Sequence, residues 1–109
     1  MDDPMKMPDL GGLMQAAQRM QQELARVQSE LENKTVEATA GGGIVTAVAN
    51  GRLEIVSLRI DASVVDPKDV AMLQDLVVAA VNQALGKAKE MAQQELGRVT
   101  GGMQLPGMF

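Results

Sequence analysis

The sequence contains no cysteine and no histidine, and its one aromatic residue is Phe109. Without cysteine the chain has no disulfides, thiolate metal ligands or nucleophilic thiols, and without histidine it lacks the commonest general acid or base near neutral pH. A single aromatic side chain offers no platform on which unpaired bases could stack, which argues against a specialist for single-stranded nucleic acid. We therefore expect neither an enzyme nor a protein with a bound metal or cofactor.

Long apolar runs are also missing. None approaches the roughly 18 residues that a membrane-spanning helix needs, and the amino-terminal residues lack the pattern of a secretion signal, so a cytoplasmic location is expected. The 109 residues, 46% of them hydrophobic, predict one domain with a small core, which favours an oligomer. We expect this domain to span residues 10–100, between a flexible tail at residues 1–9 and a second tail at residues 101–109.

A heptad stripe of the coiled-coil type predicts that residues 11–33 form the first long helix. Its apolar members recur at alternating steps of four and three residues. They are Leu13, Ala17, Met20, Leu24, Val27 and Leu31. A stripe of this kind needs a second helix beside it, and two partners are open: a helix of the same domain or, in part, a helix of a second copy in a dimer.

The next segments predict a β-hairpin. Two β-like runs lie on either side of three glycines, at residues 35–40 and 44–49. The pair Asn50-Gly51 follows and favours a two-residue type I′ turn, because both central positions of that turn need positive φ. This turn sets a register in which Val48 lies opposite Leu53. Both faces of the sheet then carry apolar residues, so a second surface must cover the sheet.

Asp66 and Pro67 predict the start of a second long helix, with Asp66 as its N-cap and Pro67 in its first helical position. The apolar pattern continues to about Leu96. The sequence leaves two positions for the carboxyl-terminal end of this helix: Gly97 can stop it, or Thr100 can be its last residue.

The predicted order of elements is therefore α-β-β-β-α. It corresponds to an α+β fold in which one layer of helices covers a three-stranded antiparallel meander. Within the second helix the segment LVVAAV, residues 76–81, is apolar all round and predicts burial on both sides. This segment and the second sheet face both need a partner, which favours a homodimer. The expected interface residues are Ile44, Val48, Leu53, Ile55, Leu76 and Val78.

Two motifs resemble ligand sites, and for each we expect a structural role instead. The glycines at 41–43 have no following Lys-Ser or Lys-Thr and lead into a strand, so we expect a link between strands rather than a phosphate cradle. Asp61, Asp66 and Asp69 straddle a turn and a helix start, where capping is the ordinary role of aspartate. We assign no metal to them.

Four segments, taken in order, resemble the YbaB/EbfC family of bacterial nucleoid-associated DNA-binding proteins. They are GGLMQAAQRMQQEL in the first helix, AGGGIVTAVANG through the hairpin, RIDASVVDPKDVAMLQDLVVAAVNQA at the second helix and GRVTGGMQLPGMF at the end. The resemblance covers nearly the whole chain. It implies the α-β-β-β-α fold, subunits that pair through the sheet region, long helices that project as two arms, and binding to double-stranded DNA.

Ten basic residues stand against fourteen acidic ones, and the net charge of −4 alone argues weakly against nucleic acid. Arg19 and Arg26, however, lie seven residues apart and therefore on one face of the first helix. The candidates for contact with DNA are Arg19, Arg26, Lys87, Lys89, Arg98, Gln15 and Gln22. The other interpretation is that the charges are solvated and paired at helical spacing, such as Arg19 with Glu23 and Arg26 with Glu30.

Two functions are therefore predicted for a homodimer. One is nucleoid-associated binding of duplex DNA with low sequence specificity and strong salt dependence, with a role in nucleoid organisation or gene regulation. The other is an adaptor that grips proteins of DNA replication or repair without binding DNA itself, which the acidic net charge favours. Catalysis would need a nucleophile, a base and an orienting group, and the sequence assembles no such set.

Overall fold

The computed structural model of the chain describes residues 9–99. Its elements are α1 (Leu10–Asn33), β1 (Thr35–Ala40), β2 (Val45–Asn50), β3 (Ile55–Ile60), a short 3₁₀ helix (Ala62–Val64) and α2 (Val70–Val99). The strands form one antiparallel sheet in the order β1-β2-β3. This architecture confirms the predicted α-β-β-β-α fold. Of the two predicted tails, residues 1–8 and 101–109 lie outside the described residues.

The core between α2 and the sheet is built mainly from small side chains. Alternate residues of β2 and every fourth residue along α2 face each other there. The fully buried residues are Val45, Ala47 and Ala49 on β2 and Ala80, Ala84 and Ala88 on α2. Because alanine carries only a methyl group, the backbone of α2 can lie close to the sheet, and a larger side chain at these positions would separate the two.

Helix α1 is covered over only part of its length. Val27 and Leu31, in its carboxyl-terminal half, are 3% and 4% exposed, whereas Leu13 and Met20 are 53% and 42% exposed. The heptad stripe predicted from the sequence therefore packs inside its own chain at one end. At the other end, no part of the chain between residues 9 and 99 covers it.

The register of the β2–β3 hairpin differs from the predicted one. Val48 lies opposite Ser57 instead of Leu53, and Val45 lies opposite Ile60. The pairing also shifts by one residue between Val48 and Ala49, where Ala49 lies opposite Ile55. The prediction of a two-residue type I′ turn is therefore wrong, and the connection between the strands is longer.

Asn50 explains the longer connection. Its side-chain oxygen accepts hydrogen bonds from the backbone N–H groups of Arg52 (2.9 Å) and Glu54 (3.2 Å). The backbone N–H of Asn50 donates to the carbonyl oxygen of Glu54 at 2.9 Å, and that of Leu53 donates to the carbonyl oxygen of Asn50 at 3.0 Å. Leu53 takes the positive φ, 62°. A turn followed by one left-handed residue is the ordinary form of a three-residue hairpin loop.

Gly51 serves close packing against α1 rather than a positive φ. Its backbone N–H donates to the carbonyl oxygen of Leu31 at 2.8 Å. A Cβ atom on Gly51 would lie 2.7 Å from the Cβ atom and 2.8 Å from the carbonyl oxygen of Leu31, closer than van der Waals contact allows. Any other residue would push the hairpin loop away from the helix.

The second helix begins later than predicted and, of the two predicted ends, passes the earlier one at Gly97. It starts at Val70, so the prediction that Asp66 caps it and Pro67 opens it is wrong. The carboxylate of Asp69 accepts from the backbone N–H of Met72 at 3.3 Å and is the capping group instead. Gly97 does not stop the helix, which continues to Val99. Thr100 lies outside the described residues.

Candidate nucleic-acid interface

Helix α1 and the end of α2 run side by side in opposite directions and form an arm. The ammonium group of Lys34 lies 3.0 Å from a carboxylate oxygen of Glu95. Further along, Val27 and Val99 line the same surface cleft. Since the structure describes α2 only to Val99, α1 extends beyond that end by residues 10–22, which we call the α1 tip. At about 1.5 Å per residue the α1 tip is about 20 Å long.

Four of the predicted DNA-contacting residues share one line along α1. Gln15, Arg19, Gln22 and Arg26 follow one another at steps of four, three and four, and all four are exposed. At about 100° per residue, this line lies roughly 150° around the helix from the apolar heptad stripe. Its first three members therefore face away from α2, whereas Arg26 lies beside the end of α2, where it lines one cleft with Glu95 and Val99. We call this line the outer line of α1.

Within the outer line, the two arginines differ in their partners. The guanidinium of Arg26 binds the carboxylates of Glu23 (2.5 Å) and Glu30 (2.7 Å). These hydrogen bonds raise the pKa of Arg26, and the bond from Arg26 lowers the pKa of Glu23. The side chain of Arg19 has no hydrogen bond or ion pair to residues 9–99. The predicted pair of Arg26 with Glu30 is therefore present, and the predicted pair of Arg19 with Glu23 is not.

The predicted basic residues of α2 divide between the arm and the sheet. The ammonium group of Lys87 donates to the backbone carbonyl oxygen of Glu37 on β1 at 2.9 Å, so Lys87 lies against the sheet rather than on the arm. Lys89 is exposed two residues further on. Arg98 lies on the arm, where its guanidinium is 3.3 Å from a carboxylate oxygen of Glu95. The prediction that Lys87 lies on the arm is therefore wrong.

Sequence reasoning missed the ion pairs that join distant elements. Glu95, whose side chain is 15% exposed, binds Lys34 across the two helices, and the hydrogen bond from Lys34 lowers the pKa of Glu95. Arg52 lies 3.4 Å from a carboxylate oxygen of Glu32. No spacing rule along the sequence signals these pairs, because their members belong to different elements.

The six predicted dimer residues do not share one surface. Ile44 and Leu76 are half-buried and pack on the core of their own chain. Leu53, Ile55 and Val78 are exposed by 49%, 37% and 58%. Val48 is half-buried on the sheet. The expected burial of segment 76–81 on both sides is not met within the single chain, since Val78 points outward.

Strand β3 carries apolar side chains that α2 does not reach. Leu58 and Ile60 lie opposite Ala47 and Val45, so they share the sheet face on which α2 packs. Helix α2 packs mainly on β1 and β2. Leu58 and Ile60 therefore stay 41% and 37% exposed beside it.

Val78 lies on the flank of α2 that faces β3. It precedes Lys87 by nine residues, which corresponds to about 180° around the helix. Since Lys87 reaches β1, Val78 lies towards the opposite edge of the sheet. Val78 and the β3 residues Ile55, Leu58 and Ile60 together form an exposed apolar surface, which we call the β3 shelf.

The aspartates and glycines singled out in the sequence have structural contacts. The carboxylate of Asp61 accepts from the backbone N–H (3.0 Å) and hydroxyl (2.8 Å) of Ser63, and the bonds from Ser63 lower the pKa of Asp61. Asp66 accepts from the backbone N–H of Lys68 at 2.9 Å. Within residues 9–99 no group of three acidic side chains could hold a metal ion. The glycines at 41–43 have φ of 65°, 72° and 99° in the β1–β2 link.

Within residues 9–99, the two long helices and the β1–β2 link lack the features of a membrane-spanning helix and of a phosphate-binding loop. Neither α1 nor α2 is both long and apolar enough to cross a membrane. The β1–β2 link runs into strand β2, so it lacks the helix N-terminus that phosphate-binding loops use.

Residues 5–103 match the model of the YbaB/EbfC DNA-binding family. A nucleoid-associated protein of Pelotomaculum thermopropionicum is 54% identical over 101 residues, which cover 93% of this chain and 96% of that protein. A nucleoid-associated protein of Syntrophobacter fumaroxidans is 55% identical over 95 residues, which cover 87% of this chain and 86% of that one. These matches confirm the resemblance found in the sequence. They place the chain among DNA-binding proteins, as expected, rather than among enzymes.

A solved structure has the same fold. The crystal structure of the uncharacterized protein HP0035 from Helicobacter pylori superposes with a TM-score of 0.76, covering 87% of this chain and all of that one. The two sequences are 23% identical. At this identity the likeness supports the architecture of the chain.

Proposed function

The chain belongs to the YbaB/EbfC DNA-binding family, and on that premise we propose that it binds double-stranded DNA with little sequence preference, as a homodimer, in the nucleoid. The outer line of α1 is the observation that carries this proposal. It presents Gln15, Arg19, Gln22 and Arg26 along one exposed helix face, and the side chain of Arg19 has no partner within residues 9–99.

The chemistry of the outer line favours phosphate contact over base readout. Arginine and glutamine donate hydrogen bonds to phosphate oxygens, which positions a protein on a duplex without selecting a sequence. The carboxylates of Glu23 and Glu30 compete for Arg26, so binding to phosphate must displace them. With a net charge of −4, affinity depends on the phosphate contacts that the two copies make together, and it falls with salt in proportion to their number.

The β3 shelf supports the homodimer. Exposed apolar surface beside an edge strand is costly in water, and a second copy that covers it removes both the surface and the unpaired strand edge. A dimer also doubles the number of arms and hence of phosphate contacts. Leu58 lies between Ile55 and Ile60 on β3 and is 41% exposed, so its substitution tests the interface.

The salt dependence of duplex binding tests the proposal. We expect a fluorescently labelled duplex to bind at about 50 mM salt and to dissociate steeply as salt rises, with a slope of about 0.9 per neutralised phosphate. Arg19→Gln should weaken binding and lower that slope. Lys87→Gln removes the same charge where the ammonium group already binds Glu37, and it serves as the matched control. Equal effects of the two substitutions would contradict the arm as the DNA-binding surface.

The adaptor function is the second candidate, because most arginines are neutralised by carboxylates of the chain itself. Arg26, Arg52, Arg59 and Arg98 each lie within 4.0 Å of a glutamate oxygen. The same titration separates the candidates. An adaptor does not bind the duplex even at about 50 mM salt, where phosphate contacts are strongest.

A further inference from the structure

The α1 tip carries large apolar side chains without cover from any residue between 9 and 99. Leu10, Leu13, Met14 and Met20 are 55%, 53%, 64% and 42% exposed. Leu10, Leu13 and Met20 lie on the same heptad stripe whose later members, Val27 and Leu31, are buried inside the chain. The stripe is thus continuous, and only its second half is covered.

The pattern of the α1 tip indicates what covers it. Heptad spacing fits another helix, because side chains of one helix then fit between those of the other. From Leu10 to Gln18 the tip has no charged side chain. A charged partner has nothing to pair with there, whereas two copies of the tip meet without repulsion. We propose that the α1 tip pairs with the α1 tip of a second copy of this chain.

Side-chain volume favours an antiparallel pair of tips. With Gln15 level with Gln15 of the second copy, each Leu13 lies opposite an Ala17 and each Leu10 opposite a Met20, so a large side chain meets a small one at the centre. A parallel pair would place Ala17 opposite Ala17 and leave a gap. In the antiparallel pair the two helix dipoles also run in opposite directions, so the positive end of each helix lies beside the negative end of the other.

This pairing would leave the outer line of α1 open. Arg19 and Gln22 lie on the side of the helix away from the apolar stripe. When two arms are joined at their tips, the residues proposed to contact phosphate therefore remain exposed. If each arm belongs to a different dimer, the contact links two DNA-binding units, and it forms without DNA.

Disulfide trapping tests the contact directly, because the chain has no native cysteine. Met14→Cys places a thiol at the flank of the stripe, where both copies of residue 14 lie on the same side of an antiparallel pair. In a parallel pair they lie on opposite sides. Mild oxidation should cross-link Met14→Cys at least tenfold faster than Gln15→Cys, the next residue along and on the outer line. Equal rates would overturn the proposal.

Native mass supplies an independent readout, measured by sedimentation without DNA. Leu13→Gln should halve the mass of the largest assembly, whereas Gln18→Ala, on another face of the tip, should leave the mass unchanged. An unchanged mass with Leu13→Gln would overturn the proposal. A Met14→Cys thiol that neither cross-links nor reacts with a thiol reagent would also overturn the proposal. In that case another segment of the same chain would cover the stripe. Both readouts are independent of whether the protein binds a duplex.

Discussion

The interface between α2 and the sheet differs from the surfaces of β3 and the α1 tip in the size of the apolar side chains. Between α2 and the sheet the fully buried residues are alanines and Val45. The leucines, isoleucines and methionines of β3 and of the α1 tip are instead exposed, among them Leu58 at 41% and Leu13 at 53%. Large side chains contribute most when buried, about 1.5–3 kcal/mol each.

This difference supports the proposal that the exposed apolar surfaces contact a second copy of the chain. A core of alanines brings helix and sheet close together but removes little apolar area from water. In the proposed homodimer, association adds to the free energy of unfolding in a concentration-dependent way. Each region can be changed separately, because the alanine core and the exposed surfaces share few residues.

Enlarging the core should give the largest effect. Ala84→Leu adds three heavy atoms at a position with 0% exposure between α2 and the sheet, and we expect it to lower the free energy of unfolding. The cost of such overpacking is about 2–3 kcal/mol. Urea unfolding measures it, with Ala71→Leu at an exposed position of the same helix as the control. A cost below that of the control would mean that α2 does not pack tightly on the sheet.

Gly51→Ala should cost slightly less, since one methyl group meets the backbone of α1 as well as its side chain. The added Cβ atom would lie 2.8 Å from the carbonyl oxygen of Leu31. We expect a loss of about 2 kcal/mol in urea unfolding. Gly86→Ala is the matched control, because no atom lies within 4 Å of its added Cβ atom and alanine favours a helix interior by up to about 1 kcal/mol. The two substitutions should therefore change stability in opposite directions.

Local periodicity accounts for what could be predicted of the fold. The heptad spacing of α1, from Leu13 to Leu31, and the alternation in β1 depend on neighbours along the chain, and both elements are present. The hairpin register could not be predicted from Asn50-Gly51. It depends on hydrogen bonds from Asn50 into its own loop and on contact of Gly51 with a helix twenty residues earlier. Such tertiary contacts override the turn preference of a dipeptide.

The same distinction holds for the candidate site. The outer line of α1 was predictable because Arg19 and Arg26 share a face by spacing alone. The position of Lys87 was not, since the end of its side chain reaches β1, an element fifty residues earlier. The large share of alanine in the core could not be predicted either, because alanine counts as apolar both in the core and on the surface. Only the fold shows that the larger apolar residues of β3 and of the α1 tip remain exposed.

Trimming the β3 shelf should affect association more than folding. Leu58→Ala removes an apolar side chain that is already 41% exposed in the single chain. If the shelf is the dimer interface, the dimer dissociation constant should rise about tenfold, or about 1.4 kcal/mol. Sedimentation at several concentrations measures it, with Ser57→Ala, one residue away on the opposite sheet face, as the control. The same dissociation constant for both variants would place the interface elsewhere.

The smallest effect is expected where the arm joins the body, through Glu95 and Lys34. The hydrogen bond from Lys34 lowers the pKa of Glu95 below its ordinary value of 4.5 in the folded chain. The pair therefore adds stability that is fully present above pH 4.5 and is lost as pH falls through the lowered pKa of the folded state. We expect Glu95→Gln to lower the free energy of unfolding slightly at pH 7, because partly exposed ion pairs contribute little.

The pH dependence of that loss separates charge from packing at Glu95. The difference in unfolding free energy between the native chain and Glu95→Gln should shrink as pH falls below 4.5, since protonated glutamate and glutamine are both neutral. Lys34→Met and the double variant complete a cycle whose coupling should fade over the same pH range. A difference that stays constant down to about pH 3 would mean that Glu95 holds α1 against α2 by shape alone. The arm would then depend, like the alanine core, on close packing.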